Sequence, residues 1–114
     1  MDYKIYKKGK FKIVEINGNL EINDPKVREL DKEVLKLTYN GEKFFIFDLK
    51  GISYLDSSGI SIFVDVIQYV RKNDGEIFFI ISNPDIQKII SIVGLDQLVK
   101  VYSSLEELEK EYEL

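Results

Sequence analysis

Two adjacent serines between an aspartate and a glycine, Asp56-Ser57-Ser58-Gly59, are the residues most able to support chemistry. A serine hydroxyl can act as a nucleophile, accept a phosphoryl group, or cap the start of a helix. Nucleophilic hydrolysis would need a histidine base and a glycine two residues before the serine. The sequence has no His and no Cys, and Leu55 stands two residues before Ser57. We therefore expect no catalytic residues, no metal site and no cofactor.

Capping and phosphorylation are compatible roles for this turn. Ser57 or Ser58 is expected to be the N-cap of a following helix, with Gly59 keeping the surroundings of the serines bare. A phosphate adds about −1.5 to −2 charges, which the positive end of a helix dipole tolerates. A partner packed here beside Asp56 would instead meet a desolvated like charge. Phosphorylation at this turn should therefore act on association and leave the fold intact.

The elements that position the turn alternate between strands and helices. A continuous apolar run at 44–47 is typical of a strand buried on both faces, and residues 50–55 are expected to form a loop. We also predict strands at 3–6, 11–16, 76–81 and 99–102, with a short further stretch at 20–22. Helices are predicted from Pro25 to near Asn40, at 60–72, at 85–93 and after Ser103 or Ser104. Gly9 and Asn17-Gly18-Asn19 are turn signals. This order predicts an α/β fold with a mostly parallel sheet and an antiparallel leading hairpin.

The helix that follows the turn has apolar residues on more than one side. A first set with helical spacing should face the core: Ile60, Phe63, Val64, Ile67 and Val70. A second set, Ile62, Val66 and Tyr69, falls roughly opposite and in line with Ser58. These three residues either form an exposed docking stripe or are covered by another helix.

Composition narrows the possible partners. With 114 residues and 45% apolar side chains, the chain fits one domain spanning residues 1–114. A net charge of −4 argues against nucleic acid as the partner. No apolar run approaches the ~20 residues of a membrane span, and the N-terminus has no signal-peptide core. We expect a soluble, cytoplasmic protein that does not contact a membrane.

The segment around the turn resembles the signature of the anti-sigma factor antagonists, the STAS-domain family. The matching residues run from Phe44 to Leu49 and from Ile52 to Ile60. The likeness extends over nearly the whole chain, because 18–21, 75–76 and 93–95 also stand where the family has them. It implies a single STAS domain with a mixed, mostly parallel sheet of four to five strands and about four helices.

The resemblance implies a partner switch. Such a protein binds an anti-sigma factor that is also an ATP-dependent serine kinase and so frees a sigma factor. The kinase phosphorylates the serine after the motif aspartate, here Ser57, and the phosphorylated form lets go until a phosphatase restores it. Glu21 stands where many members carry an aspartate near this site. The candidate partner-binding residues are Glu21, Asp56, Ser57, Ser58, Gly59, Ile62, Val66 and Tyr69.

Two other interpretations stay open. STAS domains also serve as scaffold or regulatory subunits without a phosphorylation cycle, in stress-signalling or lipid-transport complexes. Asp48, at the end of a predicted strand, suggests the acceptor of a receiver domain. That chemistry needs an acidic pair on an earlier strand to hold Mg²⁺, and the sequence offers only Glu21 there.

Overall fold

The computed structural model describes residues 1–21 and 23–112, without the side chain of Ser58. Five strands form one sheet in the order β1-β2-β3-β4-β5. The strands are β1 (Asp2–Lys8), β2 (Phe11–Leu20), β3 (Phe44–Leu55), β4 (Glu76–Ile80) and β5 (Lys100–Tyr102). The helices are α1 (Pro25–Tyr39), α2 (Ser57–Lys72), α3 (Pro84–Ile92) and α4 (Leu105–Tyr112), with a 3₁₀ turn at Leu95–Gln97.

The sheet is mixed, as the sequence predicts. β1 pairs antiparallel with β2 through a hairpin at Gly9, whose φ of 59° is in the left-handed region. All other neighbouring strands are parallel. The α/β fold with an antiparallel edge and four helices is confirmed. In the described residues, no helix combines the length and apolar character that crossing a bilayer requires.

Two predicted boundaries around β2 and β3 are wrong. Asn17-Gly18-Asn19 is part of β2, where register shifts mark a bulge and Gly18 has a φ of 92°. A bulge and a turn favour the same residue types, so local sequence could not separate them. The short stretch that the sequence sets apart at 20–22 is not separate from β2, because Leu20 is the last residue of that strand and Glu21 follows it. Ile22 lies outside the described residues.

The expected loop at 50–55 is instead the second half of β3. Gly51 to Leu55 pairs with Asn17 to Leu20 of β2, whereas β4 ends at Ile80, opposite Asp48. These two segments form a two-stranded extension, the β2–β3 ribbon, beyond the main sheet. A Cβ on Gly51 would lie 1.8 Å from Asn17 Oδ1. A larger residue at this position would displace the exposed Asn17 side chain, and its Cβ would lie 3.1 Å from the Ile16 carbonyl oxygen.

The two faces of the sheet carry separate apolar clusters, since side chains alternate along each strand. One cluster joins Val14 and Phe47 to α1, α2 and α3. The other joins Ile13 and Ile46 to α4, whose Leu108 side chain is 0% exposed. The β2–β3 ribbon and the start of α2 lie at the carboxyl ends of the parallel strands that these clusters support.

Local capping chemistry explains three of the helix starts. Asp24 accepts a hydrogen bond from the Lys26 backbone N–H at 3.0 Å, and Asn83 accepts one from Asp85 at 2.9 Å. Ser104 Oγ accepts from the Glu107 N–H at 3.2 Å. The predicted helix starts are confirmed at these positions, to within a residue.

Candidate functional site

The candidate site lies at the carboxyl edge of the sheet, where β2 and β3 end side by side. Leu20 and Leu55 are the last paired residues of the two strands. Glu21 and Asp56 follow them directly, so the two carboxylates leave the sheet from neighbouring positions. Glu21 is exposed and Asp56 is half-buried. Function gathers at such strand ends in open α/β sheets.

The helix cap is Asp56, and the expectation that Ser57 or Ser58 caps α2 is wrong. Asp56 has extended backbone angles (φ −98°, ψ 175°), and its Oδ1 accepts a hydrogen bond from the Gly59 N–H at 2.7 Å. Ser57 is therefore the first residue of α2 rather than its cap, and it is exposed. The aspartate takes the capping role, and Ser57 remains exposed at the surface.

Gly59 positions the helix. It is buried, and a Cβ there would lie 2.6 Å from the Leu20 carbonyl oxygen and 3.0 Å from Leu55 Cδ1. Glycine lets the first turn of α2 approach the ends of both β2 and β3. The prediction that Gly59 keeps the surface around the serines bare is therefore wrong. The backbone of Ser58 continues the helix, and its side chain lies outside the described part of the chain.

The outward docking stripe on α2 is wrong, because α1 covers it. Val66 is 2% exposed, and Ile62 and Tyr69 are half-buried against the same core. The Tyr69 hydroxyl donates to the Asp31 backbone carbonyl at 3.2 Å. Helix α2 packs against both the sheet and α1, and so has two buried sides. The alternative that another helix covers these residues is confirmed.

Ionisable groups sit in the contact between α1 and α2. Burial raises the pKa of the Tyr69 hydroxyl, and the neighbouring Asp31 adds to that increase. Burial also raises the pKa of the Asp31 carboxyl, and the nearby Asp65 carboxylate acts in the same direction. Tyr69 Oη is 3.4 Å from Asp31 Oδ1. These groups therefore belong to helix packing, and they lie apart from Ser57.

The β2–β3 ribbon brings further exposed side chains to the site. Tyr54 is 50% exposed and pairs in register with Asn19, which is also exposed, and Ser53 is exposed beside it. The sequence predicts a loop at Ser53 and Tyr54 and a turn at Asn19, and none of the three is among the candidate partner-binding residues. Alternation of exposed and buried positions through residues 51–55 is too irregular to have revealed the strand.

Asp48 lies within β3, and its Oδ1 accepts a hydrogen bond from the Lys50 N–H at 3.1 Å. Glu15 is its partner across the strands. Among the described residues, no group of three or more His, Cys, Asp or Glu side chains is arranged to hold a metal ion. The acidic set that receiver-domain chemistry requires is therefore missing from the part of the chain that the structure covers.

The sequence was compared with protein-family models and with known proteins. The STAS domain family model matches residues 2–108. An anti-sigma-B factor antagonist of Staphylococcus aureus is 28% identical over 97 residues, covering 85% of this chain and 88% of that protein.

Two solved structures of SpoIIAA share the fold. The anti-sigma factor antagonist SpoIIAA in its unphosphorylated form has a TM-score of 0.81 at 14% identity, covering 99% of this chain and 98% of that one. The Bacillus cell fate determinant SpoIIAA in its phosphorylated form has a TM-score of 0.75 at 14% identity, covering 96% and 98%. Because the family model spans all five strands, the chain belongs to the STAS domain family.

Proposed function

We propose that this protein is an anti-sigma factor antagonist that phosphorylation of Ser57 switches off. The observation that carries the proposal is the exposed Ser57 at the first position of α2, held there by the Asp56 cap. The STAS fold and the relatives named as anti-sigma factor antagonists support it. SpoIIAA, which shares the fold, has been solved in both unphosphorylated and phosphorylated forms.

The unphosphorylated protein would bind an anti-sigma factor through the carboxyl edge of the sheet. Glu21 and Asp56 give this surface negative charge, and Tyr54 offers an aromatic side chain of the type that anchors interfaces. A complementary partner surface would carry basic side chains around a pocket for the tyrosine. Binding would then release the sigma factor that the anti-sigma factor holds.

The same partner would act as the serine kinase. Transfer of the ATP γ-phosphoryl group to Ser57 Oγ forms a phosphate monoester, and ADP leaves. The new phosphate brings about −1.5 to −2 charges beside Asp56 and Glu21. The amino end of α2 tolerates an anion, whereas a docked protein surface that was complementary to the neutral serine would be repelled. The complex therefore dissociates while the fold persists.

A protein phosphatase would return the switch to its binding form by hydrolysing the Ser57 monoester. The cycle places the protein in the cytoplasm with the transcription machinery. The chain itself contributes a substrate serine and a docking surface, and we assign it no catalytic role, no metal and no cofactor. Nucleic acid and membrane lie outside this proposed mechanism.

Four proteins test the switch: the wild type, Ser57→Ala, Ser57→Asp and the control Ser53→Ala. Ser53 is also exposed, four residues earlier on the β2–β3 ribbon. Each is incubated with ATP and the anti-sigma kinases of its own genome and analysed by mass spectrometry. We expect one phosphate on wild type and on Ser53→Ala, mapped to Ser57, and none on Ser57→Ala.

Binding of the same proteins to the anti-sigma factor completes the test. Ser57→Ala should bind as tightly as the unphosphorylated wild type and stay bound in the presence of ATP, and Ser57→Asp should bind poorly. If all four proteins bound every candidate partner alike and accepted no phosphate, the switch would be wrong. That outcome would favour the alternative of a scaffold subunit without a phosphorylation cycle.

A further inference from the structure

A cleft of about 510 Å³ opens at the amino edge of the sheet, the edge opposite Ser57. Its walls include the first residues of four strands, Phe11, Phe44, Glu76 and Lys100. Tyr112 in the last turn of α4 and residues 96–99, which begin within the 3₁₀ turn, form further parts of the walls. This volume is in the range that small-molecule sites occupy.

Aromatic rings line one side of the cleft. Phe11 packs edge-on against Phe44 and Phe78, with ring centroids 6.1 and 5.7 Å apart. The ring centroid of Tyr112 in α4 lies 5.0 Å from that of Phe78. Phe44 and Tyr112 are only half-buried, so part of this aromatic wall faces the cleft. A flat apolar group could therefore pack here without displacing the core.

Lys10, which pairs with no carboxylate among the described residues, lies over the same rings. Lys10 Nζ is 4.7 Å from the Phe44 centroid, 5.5 Å from Phe11 and 5.9 Å from Tyr112. Within residues 1–21 and 23–112, no carboxylate pairs with it. The ammonium group is therefore held at the aromatic wall by cation–π attraction and is available to an anion.

The other two cations that line the cleft already have partners, and two carboxylates on its wall would repel a second negative charge on a ligand. Lys100 Nζ pairs with Glu111 at 3.0 Å, and Arg71 donates to the Leu98 carbonyl oxygen. Glu76 and Asp96 also line the cleft. Counting Glu111, three cations face three carboxylates at the cleft, and among the described residues Lys10 is the lining cation that no carboxylate pairs with. Such a balance favours a ligand with one negative charge over a polyphosphate.

We propose that this cleft binds a small amphipathic anion with a flat aromatic body and a single carboxylate or sulfonate group. The body would pack on Phe44, Phe78 and Tyr112, and the anionic group would pair with Lys10. The site lies at the opposite edge of the sheet from Ser57 and shares no residue with the partner-binding surface. The proposed ligand site can therefore be tested independently of the proposed switch.

Two fluorescent probes that differ by one charge test the site. 8-Anilino-1-naphthalenesulfonate carries an aromatic body and one sulfonate, and N-phenyl-1-naphthylamine is the same body without the charge. We expect the sulfonate probe to bind the wild type with an emission increase and to shift backbone amide NMR signals of residues 10–11, 76–78 and 97–100. Lys10→Met should weaken the sulfonate probe at least about 5-fold and leave the neutral probe within about 2-fold.

Matched variants separate the cleft from general stickiness. Phe44→Leu should weaken both probes, and a thermal melt establishes that the variant is folded. Lys88→Met removes an exposed lysine of α3, and Tyr39→Ser removes an exposed aromatic side chain of α1. Both controls should bind both probes as the wild type does. A nucleoside triphosphate at the same concentration should not displace the sulfonate probe.

Any of four results would overturn the proposal. Lys10→Met could leave the sulfonate probe unaffected, or weaken both probes equally. The amide shifts could map to the exposed apolar residues of α1 or α3 instead of the cleft. A nucleoside triphosphate could compete at the site, which would show that its charge preference is for a polyanion.

Discussion

At the residue scale, Asp56 combines a structural role with a charge, and substitution can separate the two. Its Oδ1 accepts the Gly59 N–H at 2.7 Å, which an asparagine carbonyl oxygen can also do. Asp56→Ala should lower the free energy of unfolding by about 1 kcal/mol. Asp56→Asn should leave the free energy of unfolding close to that of the wild type. Urea denaturation measures both. An equal loss in the two variants would show that charge, rather than capping, stabilises the start of α2.

Gly59 is the residue at which steric fit overrides helix propensity. Alanine is the better helix former, by about 1 kcal/mol in a helix interior. Its Cβ would nevertheless lie 2.6 Å from the Leu20 carbonyl oxygen. Gly59→Ala should therefore lower the free energy of unfolding by about 1–3 kcal/mol, the usual cost of overpacking.

The control for Gly59 is Gln68→Ala at an exposed position of the same helix. It should leave the free energy of unfolding within about 0.5 kcal/mol of the wild type. Thermal or urea unfolding of both variants provides the comparison. A Gly59→Ala protein as stable as the wild type would mean that α2 is not seated against β2 as described.

At the element scale, the contact between α1 and α2 carries a half-buried carboxyl. Burial raises the pKa of Asp31 above its usual 3.8. The folded state thus holds the proton more tightly than the unfolded chain does. The free energy of unfolding therefore falls as pH rises from the usual pKa to the raised pKa of the folded state, and above the raised pKa it falls no further on account of this group.

Asp31→Asn removes that cost and still offers Tyr69 an acceptor, both at the side chain and at the backbone carbonyl. The variant should be more stable than the wild type at pH 7, by no more than about 1 kcal/mol because the site is partly exposed. The difference should vanish as pH falls below about 4. Paired thermal melts across this range measure it. A variant that is less stable at pH 7 would contradict the assigned direction.

The elements that the sequence predicts correctly are those with local causes. At Asp24-Pro25 and Asn83-Pro84, a capping side chain and a proline ring at the first helical position start the helix, and both residue types are visible in the sequence. The second half of β3 depends on pairing with a bulged β2, which no local pattern reveals. The burial of Val66 depends on the contact between α1 and α2, and that contact arises from the packing of two helices on one face of the sheet.

At the scale of the whole molecule, the sheet separates two surfaces. Ser57 and the β2–β3 ribbon occupy the carboxyl edge, and the aromatic cleft occupies the amino edge. The order of strands and helices predicts that Asp56 and Ser57 emerge at the carboxyl edge, because the first turn after a parallel strand always does. The cleft is not predictable in this way, since α4 and the turn at 95–97 meet there only in the folded chain.

The measurement that most directly tests the central claim compares one protein with and without phosphate on Ser57. Its dissociation constant for the anti-sigma factor and its midpoint of thermal unfolding are determined at physiological salt. We predict binding at least about 100-fold weaker, equivalent to ~2.7 kcal/mol, with a midpoint shifted by less than about 4 °C. Equal affinity of the two forms, or loss of cooperative unfolding on phosphorylation, would contradict a switch that acts on association alone.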